Sequence, residues 1–170
     1  IVERDLTLLE DFNCRYHISQ ISSAASLEVI KNKKQNVTFT SGVSINNLSL
    51  NENDVGDFRT FLKLSPPLRS EDDRLSLING IKNDLIQVIV SDHKPEDEES
   101  KRLTFSQAAT GASGIETLLS LALEQFHNGS MKLEKIIEVI THNPAKILKI
   151  NKGNLSVGTH GDFCIVDINR

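Results

Sequence analysis

Apolar residues recur along this chain with two different periods, and the two alternate. Val2, Leu6 and Leu9 share one helical face flanked by Glu3, Arg4 and Asp5, so the chain is expected to start inside an amphipathic helix, as a fragment or excised domain would. A β-like run, Arg15 to Ile21, follows, and Ser22 or Ser23 then caps a helix that turns Ala24, Leu27 and Ile30 inward. Val37-Thr38-Phe39-Thr40 is a second β-run ending at Gly42, and the polar stretch from Ser44 to Pro67 reads as a long loop. Ser70 and Asp73 have capping-box spacing before a helix with Leu75, Leu77, Ile78 and Ile81 on its apolar side. The third β-run, Leu85 to Val90, is almost wholly apolar, as a parallel strand covered on both faces should be.

Beyond it the pattern turns helical. Ser113 and Glu116 form a second capping-box pair ahead of Ile115, Leu118, Leu119, Ala122 and Phe126, while Leu133, Ile136, Ile137 and Ile140 mark another helix. Pro144 suits the first turn of a short helix through Leu148, and Gly153 and Gly158 punctuate a tail ending in the strand-like run Asp162 to Val166. Strands alternating with helices at this interval imply βα units and a parallel sheet.

Composition narrows the function classes. With 170 residues, 38% of them hydrophobic, the chain amounts to one ordinary domain or part of one. A net charge of -4 and a pI near 5.7, with no basic stripe interleaved with aromatics, argue against a nucleic-acid partner. Cys14 and Cys164 lie far apart without metal-ligand spacing, which reads as two buried thiols in a reducing cytosol. No apolar run approaches the roughly 20 residues of a bilayer-spanning helix, and the first residues lack signal-peptide features. A cytoplasmic protein without a membrane partner is the expectation.

In parallel α/β folds the residues just past the strands face the active-site mouth, which singles out Tyr16 to Ser22, Thr40 to Asn47 and Ser91 to His93. Asp92 directly follows the apolar run, where a carboxylate can bind a metal and take the proton of a metal-bound water; equally, Asp and His there can bond local backbone. Spacing alone leans to the second. His17 and Gln20 should point to opposite faces of their strand, so only one can face a barrel interior. Arg69, after Pro66-Pro67, is suited either to clamping a carboxylate or to a surface ion pair with Glu71 or Asp72. The charged run Asp97 to Arg102 reads as a solvated loop, or as a lid over the mouth.

Taken in order, the segments Tyr16 to Ser22, Ser65-Pro66-Pro67-Leu68-Arg69-Ser70, Ser91-Asp92-His93-Lys94-Pro95, Gly111 to Thr117 and Asn143-Pro144-Ala145 resemble the late motifs of dihydroorotases. The resemblance implies the C-terminal portion of a zinc-dependent TIM-type (β/α)8 metallo-hydrolase barrel. Residues 1–150 would supply about three parallel strands with their helices, and residues 151–170 the start of a small flanking β-domain. The barrel strands that carry most metal ligands would lie upstream of Ile1, and these residues alone would not close a barrel.

On that resemblance the activity is the interconversion of dihydroorotate and carbamoyl aspartate in pyrimidine synthesis. Asp92 matches the family's metal-binding general base, and Ser65, Arg69, Asn47 and Glu96 fall at substrate-binding positions. The chain also departs from the pattern. Gln20 stands where many relatives have a metal-binding His, Ser44 to Leu48 replaces a Thr-Pro-His-His-Leu segment, Ser65 replaces Asn, and Glu96 replaces His. A non-catalytic relative that scaffolds aspartate transcarbamoylase, with an oligomer as one form of that assembly, is therefore the alternative to an enzyme; an allantoinase or hydantoinase fits the Pro-Pro-Leu-Arg and Ser-Asp-His segments less well.

Overall fold

Leu6 and Leu9 of helix α1 (Val2–Leu9) are buried, which fixes the face that the helix turns inward. In the computed structural model, residues 1–12 and 14–168 are described. Strand β1 (His17–Ile18) leads into α2 (Ala24–Lys33), whose N-terminus is capped by the Ser23 hydroxyl accepting from the Ser26 N–H. Strand β2 (Thr40–Ser44) runs straight into a short helix α3 (Ile45–Ser49), and two 3-10 turns, Glu52–Val55 and Thr60–Leu62, carry the chain on to α4 (Glu71–Lys82). Strand β3 (Val88–Val90) follows, then α5 (Glu98–Lys101) and α6 (Leu118–His127). Helix α7 (Leu133–Ile137) passes through a π-helical turn, Glu138–His142, into α8 (Asn143–Leu148).

The strands form one parallel sheet in the order β1-β2-β3, with His17 beside Thr40, and Gly42, Val43 and Ser44 beside Val88, Ile89 and Val90. Helix α2 packs against α1 and α4. Ile18, Val43 and Ile89 meet Leu27, Ile30, Leu77 and Ile81 in the main core. All strands point the same way, so their C-terminal ends share one rim.

Several expected boundaries move. The second strand forms at Thr40–Ser44 rather than at Val37–Thr40, because a middle strand must pair on both sides; Ser41 is locked to the segment leading into the third strand by its hydroxyl on the Leu85 carbonyl (2.7 Å) and its N–H on Gln87 Oε1 (2.9 Å). The expected loop after Ser44 contains α3, whose Ile45 and Leu48 are fully buried. Ser113 does not cap the sixth helix, which starts at Leu118, and Ile115 lies outside it and exposed. Leu75, expected inward, is also exposed. Both cysteines are exposed rather than buried, Cys164 on a tail in which the described residues 151–168 form no helix or strand. No helix among the described residues is long and apolar enough to cross a membrane.

Candidate active site

The third strand ends at Val90, and Asp92 then turns the chain with φ 51, a left-handed conformation that asparagine and aspartate tolerate better than most side chains. The loop is fastened on its far side by the Gly111–Gly114 segment. Lys94 donates its N–H to the Ala112 carbonyl (2.9 Å), and His93 Nδ1 accepts the N–H groups of Gly114 (3.1 Å) and Ile115 (3.2 Å). His93 thus serves as a backbone acceptor ahead of α6, in place of the expected Ser113 cap. Two glycines make the fit possible: a Cβ at Gly111 would lie 2.4 Å from the Lys94 carbonyl oxygen, and one at Gly114 would lie 2.4 Å from that of Ser91.

On the opposite side of the rim, Gln20 Nε2 donates to Asp92 Oδ1 at 2.7 Å. The two residues that sequence reasoning placed at a metal site do come together, as donor and acceptor of one hydrogen bond. The strand stops at Ile18, so strict alternation no longer governs where Gln20 points. His17 hydrogen-bonds the Thr40 hydroxyl (2.7 Å) near the N-terminal ends of the strands. There it lines a cavity of about 620 Å³ with Tyr16, Thr40, Gln87, Asn143 and Lys146. Burial holds its pKa below the usual histidine value.

Arg69 is exposed, and its Nε donates to the buried Ser22 hydroxyl (2.9 Å), which puts the guanidinium beside the exit of the first strand. Its expected ion-pair partner Glu71 is taken instead by Arg74, which with Asn51 holds the Glu71 carboxyl down at about 2. Asn47 is buried and donates to the Pro67 carbonyl (3.1 Å), anchoring the loop in which Ser65 is exposed and joined to Pro66 by a cis bond. Glu96 is exposed on the loop past Asp92, 3.8 Å from Lys94 Nζ. Asp92 and Gln20 therefore form one bonded pair, Arg69 and Asn47 anchor neighbouring loops, and Ser65 and Glu96 carry no hydrogen bond to any of these four side chains.

The charges of the run from Asp97 to Arg102 are exposed, as a solvated run requires, except at Lys101. Lys101 is only 2% exposed, and its Nζ donates to the carbonyls of Thr60 and Ala109, both at 2.9 Å. Burial pushes its pKa down. Nothing in its sequence setting distinguishes it from the exposed charges around it.

The resemblance implies zinc, and zinc sites generally take four ligands drawn from Cys, His, Asp or Glu, or three plus a water. Among the described residues no three such side chains cluster as a metal site would need. Asp92 is the anionic donor at the rim, Gln20 turns N–H toward it, His93 Nδ1 is committed to backbone, and His17 lies at the other end of the strands. These residues alone do not fit a zinc ion.

The pattern of the Amidohydrolase family matches residues 5–170. The chain belongs to the amidohydrolase family. It is 40% identical over 172 residues to the dihydroorotase of Ehrlichia canis (strain Jake) and 39% identical over 172 residues to that of Ehrlichia chaffeensis, covering all of this chain and 38% of each relative. Among solved structures, L-hydantoinase (dihydropyrimidinase) from Arthrobacter aurescens superposes with a TM-score of 0.89 at 27% identity, over 95% of this chain and 37% of that one. The chain therefore spans well under half the length of the proteins it matches. Its three parallel strands and helices form a portion of a TIM-type barrel, as the resemblance implied.

Proposed function

We propose that this chain is the C-terminal part of a cytoplasmic dihydroorotase, with residues 151–170 opening a small β-domain completed elsewhere in the polypeptide. The carrying observation is that a fastened loop at the end of β3 holds the Asp92 carboxylate at the rim. Asp92 would accept a proton from water as the oxygen attacks the ring amide carbon of dihydroorotate. It would then deliver that proton to the departing ring nitrogen, giving carbamoyl aspartate, and the reverse sequence closes the ring. Arg69 suits the substrate carboxylate: with Nε on Ser22, its terminal nitrogens can form a planar two-point contact. Identity to dihydroorotases of 40% against 27% to a hydantoinase supports that substrate over an uncharged cyclic imide. Zinc would be the cofactor of the whole protein, with Asp92 the contribution of this chain.

The test is turnover by the full-length polypeptide of dihydroorotate, carbamoyl aspartate and hydantoin side by side. Dihydroorotate and carbamoyl aspartate are expected to interconvert with hydantoin untouched, and hydantoin hydrolysis alone would refute the assignment. A second reading, a non-catalytic subunit scaffolding aspartate transcarbamoylase, is favoured by Gln20, which stands where many relatives have a metal-binding His. It predicts an inactive, metal-free full-length protein that co-purifies with the transcarbamoylase.

A further inference from the structure

The Gln20 to Asp92 hydrogen bond links strands that are not neighbours. In the sheet order β1-β2-β3, β2 lies between them, so the Gln20 side chain crosses the rim above the end of the middle strand to reach Oδ1 at 2.7 Å. Ile21, next to Gln20, is tied to β2 through its N–H on the Gly42 carbonyl (2.9 Å), so the base of the Gln20 side chain is anchored as well. At the other end, Asp92 is set by a left-handed backbone and by a loop in direct contact with Gly114. Both partners thus stand on fixed backbone, and the bond between them fixes a side-chain orientation.

The chemistry of the donor matters. A carboxamide N–H does not ionise near neutral pH, whereas an imidazole or an acid in the same place could exchange a proton with the carboxylate. With Oδ1 accepting the Gln20 amide N–H, the carboxylate is held in one orientation at the rim.

We propose that Gln20 is a positioning residue for Asp92, its amide holding Oδ1 and so fixing the orientation of the carboxylate at the rim. The inference rests on the reading of Asp92 as the proton-transfer group. It gives Gln20 a role as hydrogen-bond donor, distinct from the metal-ligand role that its place in the sequence suggests.

The test uses the full-length protein carrying Gln20→Ala, the near-isosteric Gln20→Glu, and Asp92→Asn in parallel. Steady-state kinetics on dihydroorotate, metal content by elemental analysis and melting temperature are the readouts. Gln20→Ala is expected to lower kcat by roughly 100-fold, the order of loss that a misplaced reacting group produces, with KM within about twofold and metal content unchanged. Gln20→Glu, which replaces the donor by a second carboxylate at the same reach, is expected to lose at least as much. Unchanged kcat in Gln20→Ala overturns the inference, as does a fall in its metal content, which would make Gln20 a ligand. Unfolding of both Gln20 variants overturns it too, since the bond would then hold the fold rather than the carboxylate. Full turnover by Asp92→Asn refutes the underlying reading instead, and the kinetics of that variant alone reveal it.

Discussion

Gly114 has no room for a side chain, because a methyl group there would sit 2.4 Å from the carbonyl oxygen of Ser91, one residue before Asp92. That neighbour is backbone, so Gly114→Ala must move the loop itself. The expected cost is about 1–3 kcal/mol, the usual scale for overpacking a tight contact, together with a loss of turnover larger than the stability change explains. Thermal unfolding and dihydroorotate kinetics on the same full-length preparation check both parts. The rim position of Asp92 was legible in the sequence because an apolar parallel strand ends just before it. The residues that hold it were less so: His93 receives N–H groups from more than twenty positions away, and Gln20 bonds across a strand that neither residue belongs to. Local spacing carries no record of either contact. Lys101 was misread for the related reason that its burial depends on two carbonyls from separate segments.

Among the elements, α4 was anticipated in its Ser70 cap and in its buried Leu77, Ile78 and Ile81, though not in the exposed Leu75. The Ser70 hydroxyl accepts the Asp73 N–H and donates to Asp73 Oδ2 (2.8 Å), while Asp73 Oδ1 accepts the N–H of Ala24 (2.7 Å) and so joins the N-termini of α4 and α2. Burial raises the Asp73 pKa, but these donors and the charge of Arg69 outweigh it and keep the carboxyl below the usual range. Removing the cap in Ser70→Ala is expected to cost about 1 kcal/mol, read as a lower denaturation midpoint with an unchanged slope. The helix α3 was missed because Ser44 to Leu48 looks polar on average. Its two buried apolar residues, Ile45 and Leu48, are three apart, and so short a pattern does not stand out within a stretch rich in Asn and Ser. The second strand was misplaced because Val37 to Phe39 has the better β-propensity, while pairing on both sides favours Thr40–Ser44.

At the scale of the whole molecule, acid should weaken the fold partly through His17. Burial lowers its pKa from the ordinary 6.5, so the unfolded chain binds a proton that the folded chain resists. The resulting stability is present above the ordinary value and is lost as pH falls through it toward the folded-state pKa. The difference in unfolding free energy between wild type and His17→Gln should therefore shrink between about pH 7.5 and pH 5.5. Urea titrations at the two values check this, and a constant difference would contradict it. Three strands leave an open sheet, and apolar side chains such as Phe163 and Ile165 stand exposed on the tail, so these 170 residues are not expected to turn over dihydroorotate alone.

The central claim is that Asp92 moves the proton, and asparagine is the fitting probe. It keeps the size of the side chain and tolerates the left-handed backbone at φ 51, so the loop should survive the change. In full-length protein, Asp92→Asn is expected to lower kcat for dihydroorotate hydrolysis by about 10²- to 10⁴-fold, the usual contribution of a general acid–base group, with the melting temperature little changed. Turnover equal to wild type in a folded Asp92→Asn protein would contradict the account.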